Sequence, residues 1–113
     1  MTLDEYFATG PSHERPVFDA VMRHLADVGP VHVEPVSVGI FLKNPRKFAE
    51  LRPLQRWTAL SFFLRRPVSH RTIVRKVARY GGRYLHIANV AEPADLDDDL
   101  GDLLVEAYDE AAS

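Results

Sequence analysis

The stretch that decides the fold is Ile73-Val-Arg-Lys-Val-Ala-Arg-Tyr80-Gly81-Gly82-Arg83-Tyr-Leu-His-Ile-Ala-Asn-Val90. Two strand-like runs flank a glycine pair. Glycine takes up the positive φ angles of a tight type I′ turn at no steric cost, so this pattern specifies a β-hairpin. A two-residue turn sets the register: Tyr80 opposite Arg83, Arg79 opposite Tyr84, Val77 opposite His86 and Arg75 opposite Ala88. Side chains alternate across a strand. Val74, Ala78, Leu85 and Ile87 therefore share one face, the expected core face, while Arg75, Arg79, Tyr84 and His86 share the other beside Val77.

Upstream, Trp57–Leu64 is the most apolar run, with Trp57, Ala59 and Phe63 on one face and Leu60, Phe62 and Leu64 on the other. A strand apolar on both faces is expected to be central and covered on both sides. Lys47–Arg52 reads as a further strand. Val31–Leu42 keeps a period of two, with Pro35 marking a bulge or an edge position. At the start, Thr2 can cap a short helix that Gly10 stops. Ser12 can cap a second helix running to about Val28, with Val17, Phe18, Val21, Met22, Leu25 and Val28 as its apolar face. After Glu92-Pro93 the stripe Leu96, Leu100, Leu103, Leu104, Ala107, Tyr108, Ala111 predicts a closing helix over Asp97–Ala112.

The sequence thus predicts a single α+β domain over 1–113: a mostly antiparallel sheet of about five strands, flanked by an N-terminal helix and a C-terminal helix. The expected core is Phe18, Val21, Leu25, Ile40, Leu60, Phe62, Leu85, Ile87, Leu100, Leu104 and Tyr108.

The chain has no cysteine. That excludes a disulfide framework, a thiol nucleophile and any cysteine-based metal site, and it fits a reducing cytoplasm. The first residues are acidic and carry no apolar run, so no signal peptide is read there, and no stretch is apolar enough for a membrane span. A cytoplasmic protein with no membrane partner is the expectation. The net charge of −2 hides a segregation. Residues 43–86 carry twelve Lys and Arg against one acid, Glu50, a net of +11; the remainder carries two against fifteen, a net of −13. Such asymmetry can mark a polyanion-binding face. It arises equally where acidic helices neutralise a basic sheet.

No catalytic signature is present: no Gly-x-Ser-x-Gly elbow, no His-Glu-x-x-His, and no Walker lysine after Gly81-Gly82. Asp95, Asp97, Asp99 and Glu106 fall at calcium-loop spacing, but Leu100 stands where the loop needs glycine, and the leucines continue a core stripe. The acids instead suit a helix N-terminus. His32, His70 and His86 lie on three separate segments. No metal, cofactor or catalytic residue is therefore assigned. The cluster that suggests chemistry is Arg75, Arg79, Tyr84 and His86. Guanidinium groups recognise phosphate through paired hydrogen bonds, and basic strands bearing aromatics can hold single-stranded nucleic acid. The expected role is a non-catalytic binding or accessory domain for an anionic ligand, either nucleic acid or a phosphorylated small molecule. The alternative is a protein-interaction or self-association domain, such as a homodimer, that takes no small ligand.

Glu5-Tyr-Phe-Ala-Thr-Gly-Pro, Val17-Phe-Asp-Ala, Gly29-Pro-Val-His-Val, Arg83-Tyr-Leu-His-Ile and Asp95-Leu-Asp with Glu106-Ala-Tyr together resemble the small bacterial family catalogued as domain of unknown function 5655. The likeness covers nearly the whole chain. It implies a domain that occurs alone or attached to other modules, some nuclease-like, with no established activity to carry over. His86 matches a histidine of the family's penultimate strand pattern, which transfers a position and not a role.

Overall fold

The computed structural model describes residues 1–112; Ser113 lies outside the described residues. Three helices, α1 (Leu3–Phe7), α2 (Glu14–Leu25) and α3 (Asp98–Ala111), accompany six strands: β1 (His32–Val36), β2 (Gly39–Lys43), β3 (Lys47–Pro53), β4 (Thr58–Leu64), β5 (Ala78–Tyr80) and β6 (Arg83–Val90). The strands form one antiparallel sheet in the order β1-β2-β3-β4-β6-β5. The fold is α+β, as expected, with six strands and not five. The sixth arises because Val31–Leu42 doubles back at Ser37-Val38, placing Val36 opposite Gly39. A side chain at Gly39 would overlap the Leu51 carbonyl of β3, so only glycine fits there.

α2 and α3 pack against each other, and α3 lies over β3 and β4. The covered face carries cross-strand rows such as Ile40–Leu51–Leu60–Ala88 and Leu42–Ala49–Phe62–His86, all buried. Between β2 and β3 the register slips after Leu42, leaving Phe48 as an extra residue. The bulge lets Phe48 stay on the buried side, where its ring meets Tyr108 of α3 edge-on at 5.6 Å. Val17, Phe18, Val21 and Leu25 of α2 and Leu100, Leu104, Ala107 and Tyr108 of α3 fill the space above the sheet.

The helix ends follow local chemistry. Thr2 and Glu5 form a reciprocal capping box at the start of α1, which ends short of Gly10. α2 begins without a side-chain cap, at His13 and not at Ser12. Asp97 caps α3 by accepting the Leu100 N–H at 2.9 Å. Gly101 lies inside α3, where its missing side chain makes room for the His24 imidazole, which donates to the Leu96 carbonyl at 3.0 Å.

Expectations about the sheet faces and about the hairpin are corrected. β4 is central but covered on one side only: Thr58, Leu60, Phe62 and Leu64 are buried, whereas Ala59, Ser61 and Phe63 are half-buried on the open face. Through the pairs Phe62–His86 and Leu60–Ala88, β6 turns His86, Ala88 and Val90 under the helices and leaves Leu85 and Ile87 on the open face. Leu85 and Ile87 are thus not core residues. β6 is apolar on both faces, so its own pattern does not select a side; its register against β4 does.

The second correction concerns the length of the hairpin. Its turn pairs as expected, Tyr80 with Arg83 and Arg79 with Tyr84, but β5 holds only three residues. The pairs Val77–His86 and Arg75–Ala88 do not form. The chain between β4 and β5 instead leaves the sheet, and Val74, expected in the core, is 71% exposed. This segment satisfies part of the β6 edge by other means: Asn89 donates its N–H to the Thr72 carbonyl at 2.9 Å.

Candidate functional site

The β5–β6 hairpin separates the four residues that the sequence singled out. Arg79 and Tyr84 are cross-strand partners, and the Arg79 guanidinium lies 6.0 Å from the Tyr84 ring centroid. The Arg79 Nε also donates to the Gly81 carbonyl at 3.2 Å, which holds the side chain near the turn. Arg75 is exposed in the irregular segment before β5. His86 is fully buried, its ring stacked nearly parallel to Phe62 at 5.1 Å. Its Nε2 accepts the Val68 N–H at 3.0 Å, and burial holds its pKa below the ordinary histidine value. His86 therefore does not share a solvent-facing surface with the arginines.

Three other residues join the hairpin arginines. On the open face the Arg83 guanidinium sits 4.3 Å from the centroid of Phe63, and Tyr80 meets the same ring edge-on at 6.5 Å. The turn register already places Tyr80 opposite Arg83. That Phe63 lies beside them follows only from the pairing of Phe63 with Leu85 across β4 and β6.

Two further groups of basic residues flank these. Between β4 and β5, Arg66 grips Glu106 of α3 through two bonds of 2.9 and 2.8 Å, and Arg71 reaches Asp95 at 3.0 Å. The Arg65 N–H donates to Glu110 at 2.9 Å. His70 accepts the Thr72 N–H at Nδ1 and donates from Nε2 to the Asp97 carboxylate at 2.9 Å. Beside these contacts lies a cavity of about 980 Å³ bounded by Arg66, Val68, His70, Asp97, Asp102 and Leu103. The Arg66 hydrogen bonds hold Glu106 below the usual carboxylate range, and the Leu100 N–H, with help from His70, does the same for Asp97. On the open face Lys43 pairs with Glu34 at 2.6 Å and Lys47 with Glu50 at 3.0 Å.

The second group is Arg75, Lys76, Arg79 and Arg83. Among the described residues none of the four lies within ion-pair distance of a carboxylate. The hairpin thus carries four cations without a carboxylate partner; Arg52 and Arg56, elsewhere among the described residues, also lack one. It places Arg83 and Tyr80 beside Phe63 on the open face and Arg79 by Tyr84 on the other.

A family model described as Domain of unknown function (DUF5655) matches residues 3–111. The chain belongs to this family. The match takes in both the segment tied to α3 and the hairpin, so both are parts of the DUF5655 unit. No curated protein and no solved structure matches the chain. Among the described residues no helix is long and apolar enough to cross a membrane.

Proposed function

We propose that this domain is a non-catalytic binding module that takes an anionic ligand, a single-stranded nucleic acid, on the β5–β6 hairpin and the adjoining open sheet face. One observation carries the reading: Arg75, Lys76, Arg79 and Arg83 have no carboxylate partner among the described residues, Arg83 lies over Phe63 beside Tyr80 on the open face, and Arg79 lies by Tyr84 on the other face of the hairpin. Guanidinium groups suit phosphate oxygens, and exposed rings offer stacking surface to bases regardless of sequence. Arg83 over Phe63 and Arg79 over Tyr84 are already held in place by their rings, so less side-chain freedom is lost on binding.

Fluorescence anisotropy with a labelled oligonucleotide of about ten residues, at about 50 mM salt, tests the proposal. Saturable binding that weakens steeply with added salt supports it. Absence of binding by the wild-type protein at low salt removes it. A self-association reading has its own observation: Phe41, Phe63, Leu85 and Ile87 are half-buried apolar residues on the face that no helix covers. Sedimentation equilibrium separates the two, because a dimer formed through this face would dissociate on Phe63→Glu and Ile87→Glu substitution.

A further inference from the structure

The open sheet face carries positive charge at a second place, far from the hairpin. On β3, Leu51 is buried and Arg52 points the other way, opposite Ala59 of β4 and in one row with Asn89 of β6. In the connection from β3 to β4, Leu54 donates its N–H to the Trp57 carbonyl at 2.8 Å, which carries the pairing one step beyond Pro53–Thr58. Side chains alternate along a strand and Thr58 is fully buried, so Trp57 falls on the open side with Ala59. Trp57 is 37% exposed, and Arg56 is exposed in the turn beside it. Among the described residues neither Arg52 nor Arg56 lies within ion-pair distance of a carboxylate.

Phe63, with Arg83 over its ring, and Trp57 bracket this face along the line of β4, about 20 Å apart. Between them the floor is Ala59, Ser61, Leu85 and Ile87, half-buried and under no helix. A cavity of about 170 Å³ opens there, bounded by Lys47, Glu50, Ser61, Phe63 and Leu85. The strands hold two acids, Glu34 and Glu50, and a lysine neutralises each: Lys43 at 2.6 Å and Lys47 at 3.0 Å. The face is thus balanced in charge along its middle and positive at both ends, with a ring at each end. Its complement is an extended molecule that alternates negative charge with flat apolar groups. A single strand of nucleic acid has that pattern, whereas a phosphorylated small molecule is too short to meet both ends. A second copy laid face to face would bring arginines against arginines, a like-charge contact that disfavours it.

We propose that the single strand bound at the hairpin continues along β4 to the β3–β4 turn, where Arg52 and Arg56 take its phosphates and Trp57 stacks on one of its bases. This rests on the hairpin reading and adds a second contact end to it. Guanidinium groups pair with phosphate oxygens, and a ring stacks on any base. The span accommodates about four nucleotides, the low end of the site sizes that β-sheet surfaces present to single strands.

Trp57 is the one tryptophan of the chain, so intrinsic fluorescence reports on the far end alone. Titration with a thymidylate oligomer of about ten residues, at about 50 mM salt, should quench it saturably over the concentrations at which anisotropy reports binding. Arg52→Ala/Arg56→Ala should weaken the oligomer by about tenfold or more, and should flatten the slope of log affinity against log salt by about 1.4, at roughly 0.7 for each of two phosphates. Trp57→Leu should weaken it by about fivefold or more. Both arginines are exposed, so their double variant decides the matter if the leucine variant does not fold. The proposal is overturned if the oligomer binds and leaves Trp57 emission unchanged, or if the double variant binds at wild-type strength with an unaltered salt slope. Either result leaves the hairpin reading standing, since alanine at Arg75, Lys76, Arg79 and Arg83 tests that reading separately. Absence of oligomer binding by the wild-type protein removes both. Trp57 emission that changes with protein concentration and not with the oligomer assigns the face to a second copy and overturns the proposal.

Discussion

The segment Arg65–Arg71 and the hairpin segment Arg75–Arg83 carry three arginines each and have opposite electrostatic fates. Arg66 and Arg71 are tied to Glu106 and Asp95, and His70 to Asp97, so the first segment is strapped onto α3 and the turn before it. The second segment runs on past the acids of α3, and its four cations meet rings or solvent instead. The difference teaches that a basic run is not one feature. A cation within reach of a helix acid is part of the scaffold; a cation a few residues on, beyond that reach, is available to a ligand. If this division is right, substitutions in the two segments have separable consequences.

The largest effect is expected from replacing Arg75, Lys76, Arg79 and Arg83 together by alanine. Oligonucleotide affinity at low salt should fall by about a hundredfold or more, and the slope of log affinity against log salt should flatten by about 3, at roughly 0.7 for each phosphate no longer neutralised. Because the four side chains support no packed core, the denaturation midpoint should hardly move. The matched double variant Arg66→Ala/Arg71→Ala should leave affinity near wild type. An equal drop in affinity in both variants would erase the distinction.

Next comes His70→Ala. The imidazole bridges the Thr72 N–H and the Asp97 carboxylate with little solvent exposure. Its removal should cost about 1–3 kcal/mol, read from urea denaturation, with oligonucleotide binding intact.

A third outcome is set by pH. The His86 pKa lies below its ordinary 6.5, so between that lowered value and 6.5 the unfolded chain holds a proton that the folded chain does not. Stability should therefore fall as pH drops through about 6.5. Asp97 and Glu106, both held low, contribute stability that is fully present above their ordinary values of 3.8 and 4.5 and is lost as pH falls through the lower folded values. Melting temperatures across the range from neutral to strongly acid should show both declines, and Asp97→Asn should shallow the acid one. Oligonucleotide affinity, in contrast, should stay flat from about pH 8 to 6, because the buried His86 is not part of the binding surface. A rise in affinity over that range would return His86 to the site.

The smallest effect is expected for Arg66→Ala alone. The pair with Glu106 is well formed but exposed on the arginine side, so its loss should cost less than about 1 kcal/mol, and the difference from wild type should shrink in high salt.

Much of this protein is determined locally and is legible in the chain itself. Gly81 supplies the positive φ, 62°, of the turn that sets Tyr80 opposite Arg83; Gly82 does not take a positive φ, so the turn is not the expected type I′. The leucine stripe and the Asp97 cap define α3, and Thr2 with Glu5 defines α1, since the groups involved lie within a turn of each other. Tertiary structure alone decided three things. It chose which face of β6 is buried, because Leu85 and Ile87 are as apolar as Ala88 and Val90, and only pairing with Leu60 and Phe62 breaks the tie. It ended β5 at Ala78, leaving Val74 and Arg75 outside the sheet, because the chain from Arg65 to Thr72 is anchored to α3, His86 and Asn89. And it sorted the arginines into paired and unpaired, because whether a charge finds a partner depends on residues as far as 40 positions away, a distance over which sequence pattern carries no geometric information.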